Sequence, residues 1–174
     1  MTAAATARTC APGDPAEQAR RFRTLMGRFV TGVTIIATQA DEGVAAMTAN
    51  AVTAVSLDPL IVLACIRNES RLLAPLLARG SFSINVLAAG QDDISRHYGG
   101  RAAADSPARW LADAGGVPVL AGANASFLCK VMATHQVGDH TVVYGAVYDM
   151  RAAEPAAPAL LYAGGRYADL PLPA

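Results

Sequence analysis

Two long extended runs, residues 126–136 and 141–151, flank Gly138 and Asp139, and this pairing constrains the fold more than any other feature. Phe127, Cys129, Val131 and Ala133 alternate along the first run, the two-residue period of a strand. A Gly-Asp pair between two such runs reads as a hairpin turn. The chain before the hairpin is also rich in strands. Residues 33–38 are a β-branched run, and 44–47 and 52–56 are extended segments around a polar interruption, Thr48-Ala49-Asn50. Residues 60–66 form a continuous apolar strand that reads as buried on both faces. Residues 82–87 put Phe82, Ile84 and Val86 on one side and Ser83 and Asn85 on the other. Residues 160–162 make a last short strand before a Gly164-Gly165 turn.

Helices are few. Phe22, Leu25, Met26 and Phe29 recur at helical spacing and predict a helix over residues 16–28. Ser70 is a fitting N-cap for a helix over 71–77, which Gly80 ends. A third helix is predicted over 91–98, and 99–116 reads as a loop anchored by Trp110. Many strands without regular βαβ alternation predict a mainly β fold, an antiparallel barrel with a few added helices. The 174 residues fit one domain, placed at 19–170. Residues 1–18 read as a flexible N-terminal tail that lacks the apolar stretch of a signal peptide.

Composition narrows the function. Fourteen basic and fourteen acidic side chains leave no net charge and no basic stripe, so nucleic acid is not an expected partner. No apolar run approaches the ~20 residues of a membrane span, so no membrane partner is expected either. Only 16% of residues are charged and 53% are hydrophobic, where ordinary domains carry about 25% charged residues. Part of the surface is therefore expected to be apolar and to meet a partner subunit. Cys10, Cys65 and Cys129 are isolated and form no CxxC, a pattern that suits a reducing cytoplasm and predicts a cytoplasmic protein.

The chain lacks GxSxG, HExxH, GxGxxG and a Walker-type loop. His97, His135 and His140 are scattered and do not show metal-ligand spacing. An enzyme of this composition would rely on a cofactor for its chemistry. Two stretches differ from plain scaffold. In residues 47–56, small polar side chains interrupt a strand-rich region, where the backbone could meet a ligand or simply form a bulged edge strand. In residues 65–71, a strand runs into Arg67, Asn68, Ser70 and Arg71 at a helix start. This is either an anion cradle or an ordinary capped helix with solvated arginines.

The runs Thr31-Gly32-Val33-Thr34-Ile35-Ile36, Met47-Thr48-Ala49-Asn50, Val55-Ser56-Leu57-Asp58-Pro59 and Phe82-Ser83-Ile84-Asn85-Val86-Leu87 occur in that order. Gly138-Asp139-His140-Thr141 and Gly165-Arg166-Tyr167 follow. Together they resemble the flavin reductase family with the FMN-binding split-barrel fold, and more narrowly the small reductase components of two-component flavin monooxygenases. The resemblance covers residues 22–167. It implies a split β-barrel that holds FMN or FAD in a groove at a homodimer interface. Thr48, Ala49, Asn50 and Ala51 would line the isoalloxazine, with Ser56 nearby. Cys65, Ile66, Arg67, Asn68, Ser70 and Arg71 would follow the ribityl chain and phosphate. His140 would lie over the flavin and position the nicotinamide of NADH, with NADPH possible. Arg166 and Tyr167 would close the same region. Asn85 would either reach the flavin edge or only satisfy barrel backbone. Ala51 replaces a frequent Ser, which bears on FMN against FAD, and Leu60 replaces a frequent second Pro.

The implied function is an NAD(P)H-dependent flavin reductase supplying reduced FMN or FAD to a separate flavin-dependent monooxygenase. Hydride passes between the cofactors, so no catalytic side chain or metal is required. Two alternatives stay open: a flavin-binding carrier or subunit without free turnover, and a split-barrel protein that binds haem or a pyridoxal phosphate relative.

Overall fold

The computed structural model describes residues 13–100, 106–113 and 115–170. Along the chain come α1 (Pro15–Met26), β1 (Thr31–Gly32), β2 (Thr34–Ala40), β3 (Gly43–Ala49), β4 (Val52–Leu57), β5 (Leu60–Arg67) and α2 (Leu73–Arg79). They are followed by β6 (Ser81–Val86), α3 (Asp92–Tyr98), β7 (Trp110–Ala112), β8 (Pro118–Leu120), β9 (Ala125–Val137), β10 (His140–Ala152), β11 (Ala159–Ala163) and β12 (Arg166–Leu170). The long hairpin is β9–β10, turning at Gly138-Asp139.

Seven strands form one antiparallel sheet in the order β3-β2-β6-β9-β10-β5-β4. Laid flat, such a sheet would hold its edge strands about 29 Å apart at ~4.8 Å per neighbour. Yet β3 and β4, at opposite ends, are separated only by Asn50 and Ala51. Three Cα steps reach about 11 Å at most, so the sheet must roll until its edges meet at that end. The Cys65 amide donates to the Ala51 carbonyl at 3.0 Å, tying the connection to β5. No ladder joins β3 to β4 along the rest of the seam, and the result is a split antiparallel barrel.

The barrel interior is apolar: Ile36, Ile66, Phe82, Ile84, Cys129 and Val143 meet there, and Leu72 and Leu76 of the α2 region join the same cluster. A second apolar cluster, including Val33, Ile35, Leu87, Ile94, Leu120 and Leu160, covers the outer side of β2 and β6. These central strands are therefore buried on both faces; Ser83 and Asn85 have no exposed surface. The bulge in β10 between Tyr144 and Gly145 sits against Phe82. A Cβ at position 145 would lie 2.6 Å from Phe82 Cζ and 2.9 Å from Cys129 Cβ.

Several expectations are corrected. In β5 only Ala64 and Ile66 are buried, because its other face lies outside the barrel beside the edge strand β4. Residues 99–116 contain a strand, β7, paired with β8. The strand over 160–162 is not the last: after the Gly164-Gly165 turn, β12 runs from Arg166 to Leu170 against β11. Helix α2 starts at Leu73 rather than 71, because Ser70 Oγ accepts the Leu72 amide and its carbonyl accepts the Leu73 amide, forming a separate turn. Helix α1 starts at Pro15, where the Asp14 carboxylate caps the Ala16 amide, so residues 15–18 are helix and not tail. Residues 1–12 lie outside the described residues.

Gly145→Ala is expected to destabilise the fold by about 1–3 kcal/mol through overpacking. In a chain of this length each kcal/mol lowers Tm by about 2–4 °C, measured by thermal unfolding.

Candidate functional site

Helix α3 crosses the outer face of β3. Thr48 Oγ1 donates to the Ser95 carbonyl at 2.6 Å, and the Ser95 hydroxyl lies 2.9 Å from the Tyr167 hydroxyl. The Tyr167 ring packs 5.2 Å from that of Tyr162. The Arg96 guanidinium stands 5.1 Å over Tyr167 and is ion-paired with Asp92. These contacts wall a pocket of about 780 Å³ between β3, α3, β11 and β12. Val33, Leu160 and Tyr162 supply its apolar lining; Thr48, Asn50 and Arg166 supply polar groups. Asn50 is steadied by donation from Nδ2 to Thr31 Oγ1 at 3.2 Å.

Among the residues singled out from the sequence, Thr48, Ala49, Asn50, Arg166 and Tyr167 come together here. Asp92, Ser95 and Arg96 of α3 were missed. Their signal is the Asp-Arg pair four residues apart on one helix face, but only the fold reveals that this face looks onto β3.

Arg67, Asn68, Ser70, Arg71 and His140 form a second group, outside the pocket lining. His140 opens β10 opposite Arg67. Asn68 is fully engaged with the hairpin turn: its amide donates to the Asp139 carbonyl at 3.0 Å, and Nδ2 donates to the Gly138 carbonyl at 3.3 Å. Its Oδ1 accepts from Thr141 Oγ1 at 2.8 Å. His140 Nδ1 lies 2.7 Å from Asp139 Oδ1. That hydrogen bond, with the charge of the imidazole, holds the Asp139 carboxyl below its ordinary range. The two groups touch through β3, since Ser70 Oγ lies 3.4 Å from Met47 Sδ, next to Thr48. Arg71 is exposed and has no carboxylate partner among the described residues.

Three other positions serve the scaffold. Ile66 points into the barrel core with no exposed surface, so its side chain is not a ligand contact. Ser56 Oγ accepts the Asp58 amide at 3.2 Å and shapes the β4–β5 turn. Asn85 lies outside the pocket, fully buried: Nδ2 donates to the Ile35 carbonyl and Ser83 Oγ, and Oδ1 accepts from the Leu120 amide and Ser126 Oγ. Of its two readings, satisfaction of barrel backbone is the one the geometry supports. Cys65 is half-buried, while burial pushes the Cys129 thiol up to about 12, the behaviour of a packing residue rather than a redox thiol.

Residues 26–171 match the flavin reductase like domain. The chain belongs to this family. FMN reductase (NADH) SmoA of Agrobacterium fabrum is 36% identical over 151 residues, which are 87% of this chain and 86% of that one. The solved structure of a nitrilotriacetate monooxygenase component B homologue from Mycobacterium thermoresistibile matches with TM-score 0.85 at 32% identity. The match covers 92% of this chain and 93% of that one. The Streptomyces globisporus C-1027 NADH:FAD oxidoreductase SgcE6, solved with NAD and FAD fragments, matches with TM-score 0.82 at 32% identity, over 93% and 98% of the two chains.

The donor set of this flavin reductase family member fits a flavin. The pocket volume of about 780 Å³ falls within the roughly 300–1,000 Å³ of cofactor sites. Its apolar lining suits a ring system, and the Asn50 amide and the Arg166 guanidinium suit a ligand edged with carbonyls and an anionic group.

Asn85→Ala is expected to destabilise the protein by about 1–3 kcal/mol for each partner left unsatisfied, with little change in flavin affinity of the folded protein. Denaturant unfolding and a flavin fluorescence titration check the two halves.

Proposed function

We propose that this chain is an NADH-dependent flavin reductase that supplies reduced FMN or FAD to a separate flavin-dependent monooxygenase. The observation that carries the reading is the pocket of about 780 Å³ beside Thr48–Asn50 in a chain of this family. The names of its relatives support it: one is an FMN reductase (NADH) and another a monooxygenase component. Bound flavin supplies the chemistry by accepting hydride from NADH.

The chain's own residues bind and orient. Thr48, Ala49, Asn50 and Ala51 hold the ring system through backbone groups and the Asn50 amide. Ser70 and Arg71 pair with the phosphate by charge-assisted hydrogen bonds. His140 positions the nicotinamide, and Arg166 and Tyr167 close the pocket side. No side chain has to move a proton in the hydride step, which accounts for the lack of a catalytic triad or carboxylate pair in the sequence.

The working unit in this proposal is a homodimer. On α1 the apolar face is uncovered, with Phe22 66% exposed, and Phe29, just past the helix, is 70% exposed. Val55 and Leu57 are exposed on the edge strand β4, and Met132 and Val137 on β9. So much apolar surface on a folded chain marks an interaction site. The unpaired Cys65 and Cys129 fit a reducing cytoplasm as its location. No helix among the described residues is long and apolar enough to cross a membrane.

Loss of NADH absorbance that depends on added FMN or FAD is the expected outcome of the decisive assay; no flavin-dependent loss with either flavin overturns the reading. Arg71→Ala is expected to weaken FMN binding tenfold to a hundredfold, from a charge-assisted bond of about 1.5–3 kcal/mol, while riboflavin binding is kept. Sedimentation is expected to give twice the 17.9 kDa chain mass, and a stable monomer at micromolar concentration would remove the dimer.

A further inference from the structure

We propose that Asp139 is a positioning residue that presets His140 as its Nδ1–H tautomer, so that Nε2 is the atom offered to the nicotinamide. The inference rests on the role given to His140 above. An ionised carboxylate only accepts hydrogen bonds. With Asp139 Oδ1 at 2.7 Å from His140 Nδ1, the proton of a neutral ring must sit on Nδ1. Nε2 then carries the lone pair and can accept an N–H from a ligand carboxamide. Free histidine favours the opposite tautomer, so the preference has to come from the protein.

An ion pair between exposed neighbours on a loose turn would orient little. Here the turn is fixed. Asn68, at the end of β5, binds the carbonyls of Gly138 and Asp139 and the hydroxyl of Thr141. The backbone on both sides of His140 is thereby tied to the barrel. Among the described residues the other charged group facing the pair is Arg67, opposite His140 on β5, whose charge favours the ionised Asp139. On the β9 side the neighbour is the apolar Val137. The imidazole is half-buried and the Asp139 side chain is 89% exposed, so replacing Asp139 disturbs no packing.

The test is the tautomer itself, read in ¹⁵N-labelled protein by long-range ¹H–¹⁵N correlation at about pH 8, above the usual histidine range. Loss of the signals in His140→Ala assigns them. Wild type is expected to show Nδ1–H. Asp139→Asn, whose amide can donate to Nδ1, is expected to show Nε2–H. It should also raise KM for NADH about tenfold with a smaller change in kcat and with FMN affinity kept. An Nε2–H ring in wild type, or the same tautomer in both proteins, overturns the proposal. So does an unchanged KM in Asp139→Asn when His140→Ala raises it. If His140→Ala leaves KM unchanged although the wild-type ring is Nδ1–H, the role of His140 falls, and with it the part of Asp139 in the reaction.

Discussion

Asn50 and Ala51 join strands from opposite ends of a seven-stranded sheet, so the sheet cannot flatten without pulling the connection apart. The closure is local. It holds the edges together at one end, and the bond from the Cys65 amide to the Ala51 carbonyl fastens the link to β5. The same two residues consequently stand where three things converge: the end of β3, the start of β4 and the flank of β5. A ligand lying against residues 48–51 has the α3 pocket on one side and the Ser70–Arg71 turn on the other. The segment proposed to hold the flavin is thus also the segment the topology can least afford to lose.

Rolling the sheet gives it an inside, but the pocket lies outside. It exists because β2 and β6 are covered a second time, by α3, β8 and β11 over Ile35, Leu87 and Ile94. Covering both faces of the central strands leaves a ledge beside β3 where the Tyr167 ring packs at a tilt against Tyr162 and its hydroxyl bonds Ser95. Arg96 is neutralised by Asp92 and laid over the Tyr167 ring, whereas Arg166 has no carboxylate partner among the described residues. Two arginines of similar appearance in the sequence are therefore placed differently: one is paired into the pocket wall and the other lines the pocket without a carboxylate partner among the described residues.

Most strands were legible because their signals are local. The β9–β10 hairpin shows alternation and a Gly-Asp turn, and the structure keeps both, with Gly138 at φ 58°. The errors came where a residue's environment is set by distant chain. The run 60–66 is apolar throughout, which reads as a strand buried on both faces, but its neighbour is an edge strand with three consecutive exposed residues. Strand β7 has only three residues and exists by pairing with β8. The α3 contribution to the pocket has no local mark, because nothing in residues 91–98 says which strand the helix will cross. Conversely, the six ordered runs identified the family, since their combined spacing carries information that no single run has.

Asn68 and Asn85 state the limit of residue-level reading most clearly. Asn85 lies inside β6 between Ile84 and Val86 and Asn68 just past the end of β5, and both are candidates for flavin contact. Asn85 has every hydrogen-bonding position filled on the covered outer face of β6, beneath β8, by two backbone groups and two serines. A buried amide left short of partners is costly, so these serines are there for the asparagine and not for a ligand. Asn68 is equally engaged, but what it holds is the turn carrying His140. One asparagine knits strands into a core; the other transmits the rigidity of that core to a side chain at the surface. In a protein whose reaction runs between two bound cofactors, that rigidity is the scaffold's means of acting on the chemistry, because orientation is what the polypeptide contributes.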